Sequence, residues 1–170
     1  VDAGSLVSGG LDFDGVDDDL DLPQVITSID SASSFVVAKS DTTSSTRTSL
    51  SLSRNAPNAA RFYTTIMVGG SFYFGYGPST TAVSLGAANT DRHLFAGIAD
   101  ASTAEGFIDG VSGGSIASSS GYSPQSGGIG SVNGTTTWSG QIQEIIVYNS
   151  DQSANRAAIE SNINTKYSIY

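Results

Sequence analysis

The stretch between residues 11 and 22 constrains the fold most, because apolar and acidic residues alternate along it. The first run is Leu11-Asp12-Phe13-Asp14, and after Gly15-Val16-Asp17-Asp18 the alternation returns in Asp19-Leu20-Asp21-Leu22. In a β-strand successive side chains point to opposite faces, so each run has one face for a core and one for water. We therefore predict two short strands on either side of an acidic turn.

Further strands are predicted along most of the chain. Phe35-Val36-Val37-Ala38 is short and entirely apolar, which is typical of a central strand covered on both faces. Gly69-Gly70 separates two runs rich in aromatic and β-branched residues and indicates a hairpin. Ile142 and Ile145 of the last long run have opposite parity, which predicts a bulge or partial cover on both faces. Residues 112–128 are rich in Gly and Ser and are predicted to be a surface loop.

Residues 151–167 follow a different period. Ile159, Ile163 and Tyr167 recur every fourth residue, as on one face of a helix, and Glu160 is expected to face solvent. Asp151-Gln152-Ser153 offers residues suited to the helix N-terminus. The sequence thus predicts an all-β, antiparallel two-sheet β-sandwich of the jelly-roll type with one C-terminal helix, as a single domain over residues 1–170.

The charge of the chain argues against several classes of partner. The formal net charge is −9, from 16 acidic and 7 basic residues, and no basic face for nucleic acid or an anionic membrane surface is visible. No apolar run approaches the roughly 20 residues of a membrane span, so no membrane insertion is expected. The chain has no cysteine, which excludes disulfides and thiolate chemistry but leaves the compartment open.

Three segments in this order resemble the laminin-G-like, concanavalin A-type jelly roll. They are Leu11-Asp12-Phe13-Asp14-Gly15-Val16-Asp17-Asp18-Asp19-Leu20-Asp21-Leu22-Pro23, then Arg92-His93-Leu94-Phe95-Ala96-Gly97-Ile98 running to Phe107-Ile108-Asp109-Gly110, and finally Trp138-Ser139-Gly140-Gln141-Ile142-Gln143-Glu144-Ile145-Ile146-Val147-Tyr148-Asn149. The resemblance implies this fold along nearly the whole chain. It implies less about function, because the fold serves lectins, glycosidases, lyases, adhesins and spacers.

From this resemblance we expect a non-catalytic carbohydrate-binding or adhesion module of a larger surface or virion protein. A bacterial adhesin or a phage fibre or capsid-decoration protein would be such a parent, and the location would be extracellular, on a cell surface or on a virion. The expected partner is a cell-surface glycan. One alternative is a structural module that binds a protein of the same assembly, with oligomerisation possible. The other is a glycan-active hydrolase or lyase.

The residues that such an enzyme needs are not visible in the sequence. Hydrolases on this fold carry glutamate and aspartate closely spaced on one strand, whereas Glu105, Glu144 and Glu160 are far apart in sequence. Lyases on it need a Gln-x-His pair, but the only histidine is His93, which follows Arg92. The sequence therefore predicts that the protein is not an enzyme.

Six carboxylates fall between residues 12 and 21. Crowded like charges repel one another, and a hard cation with oxygen ligands would relieve that repulsion. Relatives on the fold often hold Ca²⁺ with aspartate side chains, and the resemblance thus implies a structural calcium site. We choose Asp14, Asp17 and Asp18 as its candidate ligands and Asp109 as a further candidate. The alternative is a solvated acidic turn.

Five residues are candidates for contact with a sugar. The rings of Tyr76, Tyr122 and Trp138 could each pack on the C–H face of a pyranose. Arg92 and Asn133 could supply hydrogen bonds. Trp138 has an alternative role, because its position in the last motif matches a core aromatic.

Overall fold

The computed structural model describes residues 5–7 (backbone only), 9–53, 61–77, 82–117, 124–132 and 134–170. Within that part, thirteen strands and one α-helix, α1 (Arg156–Tyr167), follow one another along the chain. The strands are β1 (Ser5–Val7), β2 (Gly10–Asp14), β3 (Leu20–Leu22), β4 (Ala32–Ser40), β5 (Arg47–Ser53), β6 (Arg61–Val68), β7 (Ser71–Gly77), β8 (Ala82–Ala87), β9 (Arg92–Ala99), β10 (Thr103–Ile108), β11 (Val111–Ala117), β12 (Gly127–Ile129) and β13 (Ser139–Tyr148).

The strands form two antiparallel sheets. The seven-stranded sheet has the order β1-β2-β13-β4-β9-β10-β11, and the six-stranded sheet has the order β3-β12-β5-β6-β7-β8. The strand β13 lies between β2 and β4, so the end of the chain pairs with its beginning. The predicted two-sheet sandwich with one C-terminal helix is confirmed.

The acidic turn carries the chain from one sheet to the other. The strand β2 pairs with β13 in the seven-stranded sheet, whereas β3 pairs with β12 in the six-stranded sheet. As the alternation predicts, Phe13 is buried, and Leu20 and Leu22 pack at the edge of the same core. The turn therefore forms a corner of the sandwich and does not close a hairpin.

The main core fills the space between the two sheets. Phe72, Phe74 and Tyr76 of β7 share one parity and are all buried there, opposite Val36 and Ala38 of β4. A polar contact also crosses this core: the hydroxyl oxygens of Ser34 and Thr64 lie 2.5 Å apart. A buried hydroxyl needs a partner, and these two supply one another.

The helix α1 covers the outer face of the seven-stranded sheet and creates a second apolar cluster. Phe35 and Val37 of β4 point into that cluster, while their neighbours point into the main core. The strand is covered on both faces, which explains its continuous apolar run. Ile163 is buried against the sheet, with Ile159 and Tyr167 packed beside it, so the predicted helical face is confirmed.

Two details of the strands bear on the sequence predictions. The pairing of β13 with β4 shifts register between Ile142 and Glu144, which is the predicted bulge. The predicted loop 112–128 was partly wrong, because Val111–Ala117 forms β11 and Gly127–Ile129 forms β12. Glycine and serine weaken the sequence signal of a strand, but pairing of β11 with β10 and of β12 with β3 and β5 stabilises both strands.

In the described part of the chain, no helix is long and apolar enough to cross a membrane.

Candidate functional site

The acidic turn brings together three of the four predicted metal ligands. One carboxylate oxygen from each of Asp14, Asp17 and Asp18 lies within 4.8 Å of the others. Asp18 is buried, and its Oδ2 accepts a hydrogen bond of 2.9 Å from the backbone N–H of Asp14. The Oδ1 of Asp14 in turn accepts one of 2.7 Å from the N–H of Val16. The turn thus holds its own carboxylates in place.

Arg47 stabilises the same turn from the six-stranded sheet. Its Nη1 donates to the carbonyl oxygen of Gly15 at 2.5 Å and to that of Thr137 at 2.7 Å. The hydroxyl of Thr137 also donates to Gly15, at 2.7 Å. The Gly15 carbonyl is therefore already used, and a bound cation would rely on the three carboxylates. Their hard oxygen donors fit Ca²⁺ in kind.

Asp109 lies apart from this group. It begins the turn between β10 and β11 with a φ of 51°, followed by Gly110 at 78°. Its Oδ1 accepts from the N–H of Leu94 at 2.9 Å, and its Oδ2 lies 2.6 Å from Nδ1 of His93. Both carboxylate oxygens thus hold the hairpin against β9. Asp109 is thus a hairpin residue that lies apart from the acidic group, and its role as a metal ligand stays a prediction.

Two of the predicted stacking residues are core residues. Trp138 is 0% exposed and Tyr76 is 1% exposed, so neither ring offers a face to a sugar. The Tyr76 hydroxyl donates to Oδ1 of Asp30 at 2.5 Å, and its ring packs against Phe62 and Phe74. Both predictions are corrected on this ground. The sandwich needs large side chains to fill its interior, and these rings supply them.

Of the other three residues predicted to contact a sugar, the structure describes only Arg92. Arg92 is exposed at the start of β9, where its Nη1 lies 3.5 Å from the carbonyl oxygen of Tyr167. Its guanidinium remains open to a ligand in solution. Tyr122 and Asn133 lie outside the described residues.

The titratable residues that could serve an enzyme have structural partners. His93 is buried, with Nδ1 on Asp109 and Nε2 at 2.9 Å from Oδ1 of Asn89. The three glutamates contact three different partners: Glu105 accepts from Ser112, Glu144 from Lys166, and Glu160 from Arg156. Among the described residues they do not form the close carboxyl pair that retaining glycoside hydrolysis requires.

The predicted outward position of Glu160 was wrong, since the residue is 3% exposed. It forms an ion pair with Arg156 one helical turn away, while its Oε1 is buried without a described hydrogen-bond partner. Burial raises the pKa of Glu160, and the neighbouring Arg156 offsets part of that rise. The Arg156 guanidinium also lies 4.0 Å from the centroid of the Phe107 ring. The start of α1 is thereby fixed to β10.

A groove lies beside this contact, on the outer face of the seven-stranded sheet. Its volume is about 370 Å³. Its walls come from β9, β10, β11 and the start of α1, through Ile98, Glu105, Phe107, Gly110, Ser112, Ser153 and Arg156. None of these was a predicted site residue. They come from separate segments of the chain, and nothing in the sequence tells where the helix lies on the sheet.

These features define the class of structure: the chain has the concanavalin A-like jelly-roll fold, as the sequence resemblance implies. No family model matches the sequence, and no curated protein matches it either. Solved structures do match, and the three that follow do so at low identity.

Three of these structures illustrate the similarity. The chain is similar to the CBM40 module of the Ruminococcus gnavus IT-sialidase bound to α2,3-sialyllactose, at 10% identity and a TM-score of 0.67, over 90% of this chain and 96% of that one. It is similar to Trypanosoma rangeli sialidase in complex with sialic acid, at 17% identity and a TM-score of 0.70, over 96% of this chain and 29% of that one. It is also similar to domains LG4-5 of the mouse laminin α1 chain, at 16% identity and a TM-score of 0.65, over 89% and 44%.

Proposed function

We propose that the protein is a non-catalytic carbohydrate-binding module that takes a cell-surface glycan. The observation that carries this proposal is the match to the CBM40 module, which spans nearly the whole length of both chains. That module is bound to a sialylated sugar, so this sandwich can present a sugar site without further domains. The acidic, lysine-poor composition of the present chain agrees with a partner other than nucleic acid.

The absence of catalysis is part of the proposal. Some similar structures are whole sialidases, but the chain spans only 29% of the T. rangeli enzyme. In the residues that the structure describes, His93 and the three glutamates hold structural contacts. Hydrolysis needs a positioned acid and base in one cleft, and these four side chains do not form that pair.

The same matches support a proposal about the larger protein to which this chain would belong. In the laminin fragment and the sialidase the matched region is less than half of a longer chain. We place the present chain likewise within a larger protein on a cell or virion surface, such as an adhesin, a fibre or a decoration protein. Its glycan-binding face would then attach that assembly to a cell.

Calcium is proposed as a structural cofactor at the acidic turn. Asp14, Asp17 and Asp18 would hold the ion, which would offset the repulsion between their carboxylates and stiffen the corner between the sheets. The ion would thus act on the stability of the fold.

A glycan array tests the proposed function. The purified chain is applied with calcium and again with a chelator, and binding to at least one class of glycan is expected in one of the two states. If neither state binds any glycan, the carbohydrate-binding function is wrong. The structural module that binds a protein of its own assembly would then take its place.

A further inference from the structure

We infer that the sugar site is the groove between α1 and strands β10 and β11, and that it takes a neutral, hydroxyl-rich sugar unit. This inference rests on the carbohydrate-binding function proposed above. It names the ligand class and a location that lies on the outer face of the seven-stranded sheet, away from the acidic turn.

The size of the groove suits such a ligand. At about 370 Å³ it falls at the lower end of the roughly 300–1,000 Å³ typical of small-molecule sites. Elements from two layers form its walls, because the sheet supplies Glu105, Phe107 and Ser112 and the helix start supplies Ser153 and Arg156.

The polar groups of the groove provide both acceptors and donors. The Glu105 carboxylate is partly exposed and is oriented by the hydroxyl of Ser112, which donates to its Oε1 at 2.5 Å. The Arg156 side chain is 23% exposed and is fixed by Phe107 and Glu160. A guanidinium has five N–H donors, and the described hydrogen bond uses only Nη1. Neighbouring sugar hydroxyls both donate and accept, so a fixed carboxylate and a fixed guanidinium suit them together.

The apolar side chains of the groove suit the C–H groups of a sugar ring. Ile98 and Phe107 are each 5% exposed and lie at its wall, and the guanidinium of Arg156 lies over the Phe107 ring. The C–H groups of a pyranose pack against such surfaces, while polar groups at the rim determine orientation. The groove therefore offers mainly polar contacts, from Glu105, Ser112 and Arg156, with a small apolar surface at its wall.

Charge decides between neutral and acidic sugars. The positive charge of Arg156 is already paired with Glu160, and Glu105 adds a further carboxylate to the groove. The whole chain carries a formal charge of −9. A carboxylate on the sugar would thus be repelled both locally and at long range. We therefore infer a neutral ligand, in contrast to the sialyllactose bound by the CBM40 module.

A pair of tryptophan variants tests the location. Ser112→Trp fills the groove from an exposed position, and Val111→Trp adds the same bulk to its exposed neighbour, which does not line the groove. Binding is measured on an array of lactose, cellobiose, maltose, mannobiose and α2,3-sialyllactose, with circular dichroism as the check on folding. The wild type is expected to bind a neutral sugar, Ser112→Trp to lose about tenfold or more in affinity, and Val111→Trp to stay within about twofold. Glu105→Gln, which keeps the shape of the side chain, is expected to weaken binding as well.

The other outcomes contradict the location of the site, the class of ligand or the proposed function. If the wild type binds a sugar and both tryptophan variants and Glu105→Gln bind equally well, the site lies elsewhere although the proposed function stands. If sialyllactose alone binds, the neutral ligand class is wrong. If the wild type binds none of the five sugars, the inference falls. A negative result on the wider glycan array as well would remove the proposed function.

Discussion

Gly97 of β9 and Gly106 of β10 stand directly opposite each other, and the Phe74 side chain of the other sheet lies over both. A Cβ on Gly97 would meet Cε2 of Phe74 at 2.4 Å, and a Cβ on Gly106 would meet Cβ of Phe74 at 2.4 Å. Real Cβ atoms do not approach other atoms so closely. The two glycines thus allow the sheets to approach each other at the point where β7 presents Phe74.

We expect Gly97→Ala to destabilise the fold by about 1–3 kcal/mol, because the added methyl group overpacks a filled core. Urea unfolding measures the loss. In a Phe74→Leu background the same substitution should cost less, since the smaller side chain leaves room, and a double-mutant cycle gives the coupling. Equal costs in both backgrounds would show that the Phe74 contact is not the cause.

Asp109→Ala is expected to lower the free energy of unfolding by about 1–3 kcal/mol, since the N–H of Leu94 and the ring of His93 both lose their acceptor. Asp109→Asn should cost less. Asparagine tolerates the positive φ of this position and still offers one oxygen. Thermal or urea unfolding distinguishes the two variants, and an alanine variant as stable as wild type would contradict the assignment.

Glu160 makes stability depend on pH in a defined direction. Burial raises its pKa in the folded protein above the ordinary value of 4.5. The folded state therefore binds the proton more tightly than the unfolded state, and this contribution is complete at a pH below 4.5. It is lost as the pH rises through the folded pKa. Relative to wild type, Glu160→Gln should become progressively more stable from about pH 4.5 towards neutrality.

Urea unfolding across this pH range measures the difference between the two proteins. Glu144→Gln is the matched control, since it also removes one glutamate charge but from an ion pair at the surface with Lys166. If the stability of Glu160→Gln and of wild type changed in parallel with pH, the buried carboxyl would not be the cause.

Calcium should raise the melting temperature if Asp14, Asp17 and Asp18 hold the ion. Binding to the folded state alone adds about 2.7 kcal/mol at a hundredfold excess over Kd. Asp17→Asn keeps the shape of an exposed side chain and should reduce this response, whereas Asp12→Asn, outside the group, should leave it intact. An unchanged melting temperature of the wild type in calcium would remove the metal proposal.

The sequence by itself determined the character of the segments with a clear hydrophobic pattern. Alternation predicted β2 and β3, the apolar run at Phe35 predicted a doubly covered strand, and the spacing of Ile159, Ile163 and Tyr167 predicted α1 and its buried face. These patterns are local, because the orientation of a side chain relative to its own strand or helix depends on neighbours in the chain. The opposite parity of Ile142 and Ile145 likewise predicted either a bulge or partial cover on both faces, and β13 has the bulge.

Only the tertiary structure decided which other segment packs against each face of a strand or helix. Tyr76 and Trp138 are core residues because the opposite sheet covers them, and Glu160 is buried because α1 lies where it does. The groove of Glu105, Ser112 and Arg156 exists for the same reason, since it forms between segments more than forty residues apart. A periodic pattern tells that a face is covered or open to water, whereas the identity of the covering segment depends on long-range packing, which no local pattern contains.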